Sequence, residues 1–326
     1  MSADAPDSGR QKWLALGAAG VTVVLWASAF VSIRSAGEAY SPGALTLGRL
    51  LAAVLALGAV CLVRRVGWPS RAAWPWIAAS GFLWFGVYNV ALNWGEQEVD
   101  AGTAAMLVNI APLLVALIGG RMLGEGLPRT LVAGMGLSFL GAVVVGVSMS
   151  GDGDASALGV LLCLVAAVTY AAGVVLQKPA LGHAGPLQVV TFSALVGLVA
   201  ALPFSGALLS EIADAPASAT LNMIYLGLFP TALAFTTWAY ALARTTAGRM
   251  SATTYVVPAL VVLMSWVLLG EVPGLFGLLG GALCLAGVAV SRYRPRTEAV
   301  PAPAPADAAV AARDAGQPGE VGQPAR

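Results

Sequence analysis

A chain of 326 residues that is 58% hydrophobic and 10% charged, with a mean hydropathy of +0.82, cannot be folded into a water-soluble shell. A net charge of +1 leaves no basic footprint for nucleic acid, and three cysteines inside apolar runs (Cys61, Cys163, Cys284) make no disulfide framework. The composition specifies a polytopic membrane protein whose first partner is the lipid bilayer.

A hydrocarbon core about 30 Å thick takes roughly 20 helical residues. After a polar N-terminus, 1–12, that length predicts a span at 13–33 containing Trp26, and one at 43–63 containing Arg49. The span at 73–94 carries Trp84, Phe85, Tyr88, Asn89 and Asn93, with Phe85, Asn89 and Asn93 at four-residue steps on one face. The span at 101–120 holds Asn109 three residues before Pro112, and 129–149 follows Leu123-Gly124-Glu125. Further spans fall at 157–177 with Tyr170, 187–206, 220–241 with Trp238, 250–269 with Tyr255 three residues before Pro258, and 274–292 after Leu269-Gly270-Glu271. The longest connection, 207–219, mixes Leu208, Leu209 and Ile212 with acids and reads as an interfacial loop. The tail, 297–326, is rich in Ala, Pro and Gly and is expected to be disordered.

The second half repeats the first. Leu123 and Leu269 open the same LGE tripeptide 146 positions apart, and this shift carries Pro112 onto Pro258, Gly81 onto Gly227 and Gly102 onto Gly248. Nearer the N-terminus the shift is 144, taking Trp26 onto Tyr170, Arg34 onto Lys178 and Pro42 onto Pro186. Five spans is an odd number, so the second copy must enter the membrane from the opposite side. The expected fold is an all-α membrane protein of ten transmembrane helices in two inverted five-helix repeats, 13–149 and 157–292.

Charge supports that count. With the N-terminus inside, the inner segments hold Arg10, Lys12, Arg64, Arg65, Arg71, Arg121, Arg129, Lys178, Arg244, Arg249, Arg292, Arg294 and Arg296, and the outer loops hold only Arg34. Such a bias places both termini, the tail included, in the cytoplasm.

Pro112 and Pro258 each remove a donor from a helix interior, freeing a carbonyl that must find another donor or face a wet cavity. Paired breaks beside Asn109 and Tyr255 point to a substrate site between the repeats; an ordinary kink is the plainer reading. Asn89 and Asn93 either bind substrate or tie helices together. Arg49 is the cation deepest in a span, either a counter-ion for a substrate carboxylate or a snorkelling side chain. No span centre holds Asp or Glu, which favours charge-neutral facilitation over proton exchange and leaves rim acids such as Glu38, Glu96 or Asp100 as the ones that could contribute. Glu271 ahead of its helix suits the positive N-terminal end. The Gly277-xxx-Gly281 and Gly134-xxx-Ser138 spacings suit a homodimer or packing within one chain.

Ten spans, two five-span repeats, the WASAF run at Trp26–Phe30, the SPGALTLGRL run at Ser41–Leu50 and the twin LGE turns resemble the EamA-type branch of the drug/metabolite transporter superfamily, over about residues 13–292. The resemblance implies a multi-pass inner (plasma) membrane transporter, many relatives of which export amino acids or other small metabolites by alternating access. It also implies a central cavity that would receive Trp26, Asn89, Asn93, Asn109, Tyr170, Trp238 and Tyr255. The small four-span relatives use a glutamate in their first helix, whereas Ser28 and uncharged neighbours stand here. The leading expectation is thus an exporter of a small metabolite, an amino acid or derivative. The alternatives are a flippase for a lipid-linked headgroup and a non-transport scaffold. No cofactor or metal motif is present in the sequence, and no nucleophile–base pair suggests an enzyme.

Overall fold

The computed structural model describes residues 8–122, 157–245, 247–271 and 274–292, with scattered positions between 130 and 144. Among these residues every regular element is helical. Seven helical spans are long and apolar enough to cross a membrane, and two shorter apolar helices follow them. They are α1 (Ser8–Ala36), α2 (Pro42–Val63), α3 (Arg71–Glu98), α4 (Ala101–Met122), α5 (Ala157–His183), α6 (Pro186–Asp214), α7 (Ala217–Ala243), α8 (Val257–Leu269) and α9 (Leu275–Arg292). The greater part of the expected fifth span lies outside the described residues, and the tail and the first seven residues lie outside them entirely. The described residues all belong to one compact unit, which ends at Arg292.

Several rods are irregular, and the irregularities repeat. A π-helical stretch occupies Gly81–Val87 in α3, and another occupies Gly227–Leu233 in α7. Each bound moves onto its counterpart by the 146-residue shift. The wider winding brings these segments against the other half of the chain. A Cβ at Gly81 would meet the Ser193 carbonyl oxygen at 2.6 Å, and one at Gly227 would meet the Arg49 carbonyl oxygen at 2.5 Å. Arg49 and Ser193 are themselves equivalent positions, so each half presses its glycine into the second helix of the other. Close approach of backbones through missing side chains is the usual means of holding helices in lipid.

Equivalent positions also sit at opposite ends of the bundle. At one end Arg34 reaches the Glu96 carbonyl at 3.1 Å, Gln97 donates to Tyr40 O at 2.9 Å, and Ser41 N–H donates to Glu211 Oε2 at 2.8 Å. At the other end Lys178, the counterpart of Arg34, donates to Leu242 O and Thr245 O, both at 2.6 Å. There too, Ser70 donates to His183 O and Gln188 to Gly67 O. Glu96 and Leu242 match by the same 146-residue shift, so one grip is used twice, once at each end.

Two expectations about connections change. The segment read as an interfacial loop continues α6 through a 3-10 turn at Leu202–Phe204 into a helix, Ser205–Asp214, since Leu208 and Ile212 share a face four residues apart. Glu271 binds Arg34 in an ion pair of 2.8 Å, because the left-handed Gly270 that ends α8 turns the chain back over α1. Large apolar side chains stay exposed along the rods, among them Leu55, Val168, Val199, Leu263 and Val267. An apolar surface of that extent belongs against lipid. The glycine stripe of α9 is covered within the chain: Gly281 packs on Met106, and Gly280 and Cys284 approach Gly141.

Gly81→Val and Gly227→Val are expected to lower stability by about 1–3 kcal/mol each through overpacking against backbone. Gly58→Val, whose Cβ meets open space, serves as the comparison, and thermal unfolding in detergent is the readout. Equal melting temperatures for all three would remove the reciprocal contact from the account.

Candidate functional site

Where α1, α3, α5 and α7 meet, the π-helical turn of α3 presents Trp84 and Phe85 on successive residues, both fully buried. α1 supplies Trp26, α5 supplies Tyr170, and α7 supplies Phe235 and Trp238. Trp84 stacks on Tyr170 at 5.2 Å, Trp26 lies 4.8 Å from Trp238, and Phe85 lies 4.5 Å from Phe235. Aromatic pairs at such separations contribute about 0.5–1.5 kcal/mol each beyond the area they bury. Three of these rings, Trp26, Tyr170 and Phe235, line a chamber.

The same lining holds polar groups. Among the lining residues are Trp26, Arg49, Tyr88, Asn109, Tyr170 and Thr254, with Phe30, Ile33, Leu92 and Phe235 between them. The free volume is about 50 Å³, well below the ~300 Å³ at which ligand pockets begin. The rings must part before a metabolite enters.

Arg49 is placed by a chain of causes that begins at Pro230. That proline has no N–H, so the Leu226 carbonyl loses a helical partner. The neighbouring Thr231 hydroxyl donates to Leu226 O at 2.8 Å and so keeps its lone pairs for another donor. Arg49 Nε and Nη2 donate to that oxygen at 3.3 and 3.1 Å. Nη1 is buried, has no partner, and belongs to a side chain that lines the chamber. The guanidinium thus turns inward to α7 instead of snorkelling, and it carries a positive charge with one nitrogen unused.

Sequence reasoning singled out eight side chains as substrate-binding. The structure brings Trp26, Arg49, Asn109 and Tyr170 to the chamber. Asn109 sits where α4 breaks between Val108 and Ala111, and its Nδ2 is buried without a partner. Trp238 stands behind the lining, packed on Trp26. Asn89 and Asn93 lie behind it as well. Asn89 Nδ2 donates to Phe85 O at 2.8 Å, satisfying a carbonyl of the π-helical turn, and Asn93 Nδ2 donates to Thr46 Oγ1 at 2.9 Å. Asn93 thus ties α3 to α2, while the bonds of Asn89 stay within α3. Tyr255 packs with Leu113 and Ala116 instead of lining the chamber. The backbone winds as a 3-10 helix over Ala252–Val256, and its tighter turn directs Thr254 inward. Pro112 and Pro258 stand at the starts of the half-helices Ala111–Met122 and Val257–Leu269, where a missing N–H costs nothing.

Thr231 escaped sequence reasoning, and Glu96 was placed only at the rim. Thr231 corresponds to Phe85 under the repeat shift, so symmetry does not mark it. Glu96 looked like a rim acid, yet it is fully buried, because Arg34 draws its backbone under the Glu271 turn and α5 packs over α3.

Known proteins share this architecture. A family model described as the EamA-like transporter family matches residues 13–147 and again 157–293. A protein of Streptantibioticus cattleyicolor, "Probable terminal-alkyne amino-acid exporter", is 37% identical over 84% of this chain and 92% of its own length. The "Uncharacterized transporter YdfC" of Bacillus subtilis is 36% identical over 81% of this chain and 86% of its own length. The "Probable amino-acid metabolite efflux pump" of Salmonella typhimurium is 27% identical over 84% of this chain and 93% of its own length. A solved crystal structure superposes with a TM-score of 0.60 at 22% identity, covering 90% of this chain and all of that one, which shows the shared fold alone.

Thr231→Val removes the acceptor of Arg49 and the donor to Leu226 O together. It is expected to cost about 1–3 kcal/mol of stability and to weaken any anion held at Arg49, while Thr231→Ser restores both. Melting temperature and ligand affinity measured on the two variants check this. An unaffected valine variant would show that Thr231 does not hold the guanidinium.

Proposed function

This chain belongs to the EamA-like transporter family, and we propose that it exports a small carboxylate-bearing metabolite, an amino acid or derivative, across the inner membrane. The observation that carries this reading is Arg49 Nη1, a buried and unpartnered donor on the wall of an otherwise mostly apolar chamber. An isolated cation is costly inside a membrane and is retained where it meets a ligand or counter-charge. A carboxylate is the natural complement, since a guanidinium donates to it in a charge-assisted bond. Asn109 Nδ2, the nearby Tyr170 ring and the tryptophans would then receive the rest of a compact, partly apolar molecule. The amino-acid exporters and efflux pumps among its relatives support the same substrate class.

The movement follows from the duplication. In this reading ten helices form two inverted repeats, 13–149 and 157–292, with both termini cytoplasmic, and they rock about the chamber between them. The Arg34 grip at one end and the Lys178 grip at the other are the natural places for the bundle to open in turn. The irregular segments at Gly81–Val87, Gly227–Leu233 and Ala252–Val256 lie beside the chamber, where local rewinding needs the fewest new hydrogen bonds.

Counterflow in proteoliposomes tests the reading, with labelled L-propargylglycine, a terminal-alkyne amino acid, as probe. Arg49→Gln is expected to reduce exchange about tenfold or more, the size of one lost charge-assisted hydrogen bond. The amide of the same amino acid should compete poorly. Exchange that is indifferent to Arg49→Gln, or inhibited equally by the amide, would contradict a carboxylate site.

A further inference from the structure

Asn89, Gln177, Trp238 and Ser251 take no part in the chamber lining, yet each is buried and keeps a polar atom without a partner: Asn89 Oδ1, both amide atoms of Gln177, Trp238 Nε1 and Ser251 Oγ. The repeat relates all four to residues that do line it. Gln177 is the counterpart of Ile33 by the 144-residue shift, and Trp238, Ser251 and Asn89 are the counterparts of Leu92, Ala105 and Phe235 by the 146-residue shift. The lining members are apolar, and every counterpart carries a hydrogen-bonding group. Among the described residues, Asn93, Glu96 and Glu271 also keep unpartnered atoms, but they stand toward the Arg34 end and none has a lining counterpart.

The chamber lies off-centre. Trp26 and Tyr170 are counterparts and both line it, as do Val108 and Thr254, which marks the two-fold centre. From there the lining follows α1 to Ile33, beside Arg34, but follows α5 no further than Tyr170. On α5 the same face continues to Gln177, two turns and about 10 Å on. Gln177 stands beside Lys178, whose ammonium closes that end on Leu242 O and Thr245 O. Ser251 ends the short helix Ala247–Ser251, which packs against both α4 and α5. Its carbonyl accepts the Thr254 hydroxyl at 2.7 Å, which places it one turn from the centre.

We propose that Gln177, Ser251, Trp238 and Asn89 form the wall of a second chamber, which opens at the Lys178 end when the two halves exchange conformations and binds a small zwitterion arriving from the cytoplasm. The inference rests on the inverted-repeat exporter reading above. Exchange of conformation between inverted halves moves the cavity onto the counterparts of its present lining. An unpartnered amide, indole N–H or hydroxyl is costly in a membrane interior. Each of these groups gains water or substrate once the second chamber opens, so the cost is confined to the closed state. Gln177 Oε1 and Asn89 Oδ1 accept from an ammonium group, and Gln177 Nε2 and Trp238 Nε1 donate to a carboxylate. On the way out the substrate leaves these groups for the apolar lining of Ile33, Leu92, Ala105 and Phe235, where Arg49 and Asn109 are its polar contacts.

Thiol labelling of the full chain in membrane vesicles of either orientation tests this, in a background free of Cys61, Cys163 and Cys284. Gln177→Cys and Ser251→Cys should react with a small impermeant thiosulfonate from the cytoplasmic face, at about 0.1–10% of the rate at exposed Gly182→Cys, the population of a minor state. Ala180→Cys, on the same helix and equally buried but packed on Ile77 and Val189, should stay unreactive. Ile33→Cys and Ala105→Cys should react from the opposite face. Gln177→Cys and Ser251→Cys as inert as Ala180→Cys, or labelled equally from both faces, would overturn the second chamber. Saturating L-propargylglycine should slow labelling at Gln177→Cys. Gln177→Met, close in shape, should lower counterflow of that amino acid about tenfold and melt no lower than the wild type, since no bond is lost. Unchanged counterflow, or a loss that comes with a lower melting temperature, would overturn the binding role. If the wild type does not transport L-propargylglycine, the substrate reading falls and the labelling pattern alone decides the chamber. If Glu38→Cys and Gly182→Cys label from one face, the inverted repeats fall and the second chamber with them.

Discussion

Inside a bilayer no water is available to complete a broken hydrogen bond, and an unsatisfied backbone group costs several kcal/mol. Every irregular turn in this protein is subject to that constraint. Pro230 frees a carbonyl, Thr231 takes it up, and the same hydroxyl holds Arg49. The turn around Trp84 and Phe85 releases carbonyls that Asn89 takes up. Trp26 donates its indole N–H to Pro230 O at 3.3 Å. The chamber walls are built from the repairs of the helices that surround it, which is why polar side chains concentrate there and apolar ones face outward.

Duplication explains how the irregular turns come in matched places while the chemistry does not. Gly81 and Gly227 repeat, and each fits against the second helix of the opposite half. Arg34 and Lys178 repeat as grips on the C-terminal turn of the third helix of each copy. Arg49 has only Ser193 as its counterpart, and Ser193 donates to Ile77 O at 3.4 Å. The scaffold is symmetric and the charge is not. One asymmetric cation gives a two-fold chamber a single orientation for an anionic group, so a zwitterion would bind one way round.

Much of this was legible in the sequence, for a physical reason. Span length follows from hydrophobic thickness, so most described rods begin near expectation, while α5 and α6 run six and eight residues past it and α8 starts seven residues late, and the LGE and proline pairs mark the repeat in the sequence itself. Four of eight expected substrate-binding side chains reach the chamber because a broken helix or a central aromatic has few other places to go in lipid. The misses share a cause. Whether Tyr255 or Thr254 points inward depends on 3-10 winding, which local composition does not announce. Whether Glu96 is wet or buried depends on Arg34 and Glu271, distant in sequence. The α6 extension was obscured by acids among Leu208, Leu209 and Ile212, although the apolar spacing is helical.

The account stands on two copies threaded through the membrane in opposite senses, and site-directed labelling tests that most directly. In a background free of Cys61, Cys163 and Cys284, single cysteines would replace the exposed residues Glu38, Gly182, Arg65 and Leu209, two pairs related by the 144-residue shift. A membrane-impermeant maleimide applied to intact cells should react at positions 38 and 209, and at 65 and 182 only after the membrane is opened. Labelling of both members of either pair from the same side would contradict an inverted duplication and the chamber built on it.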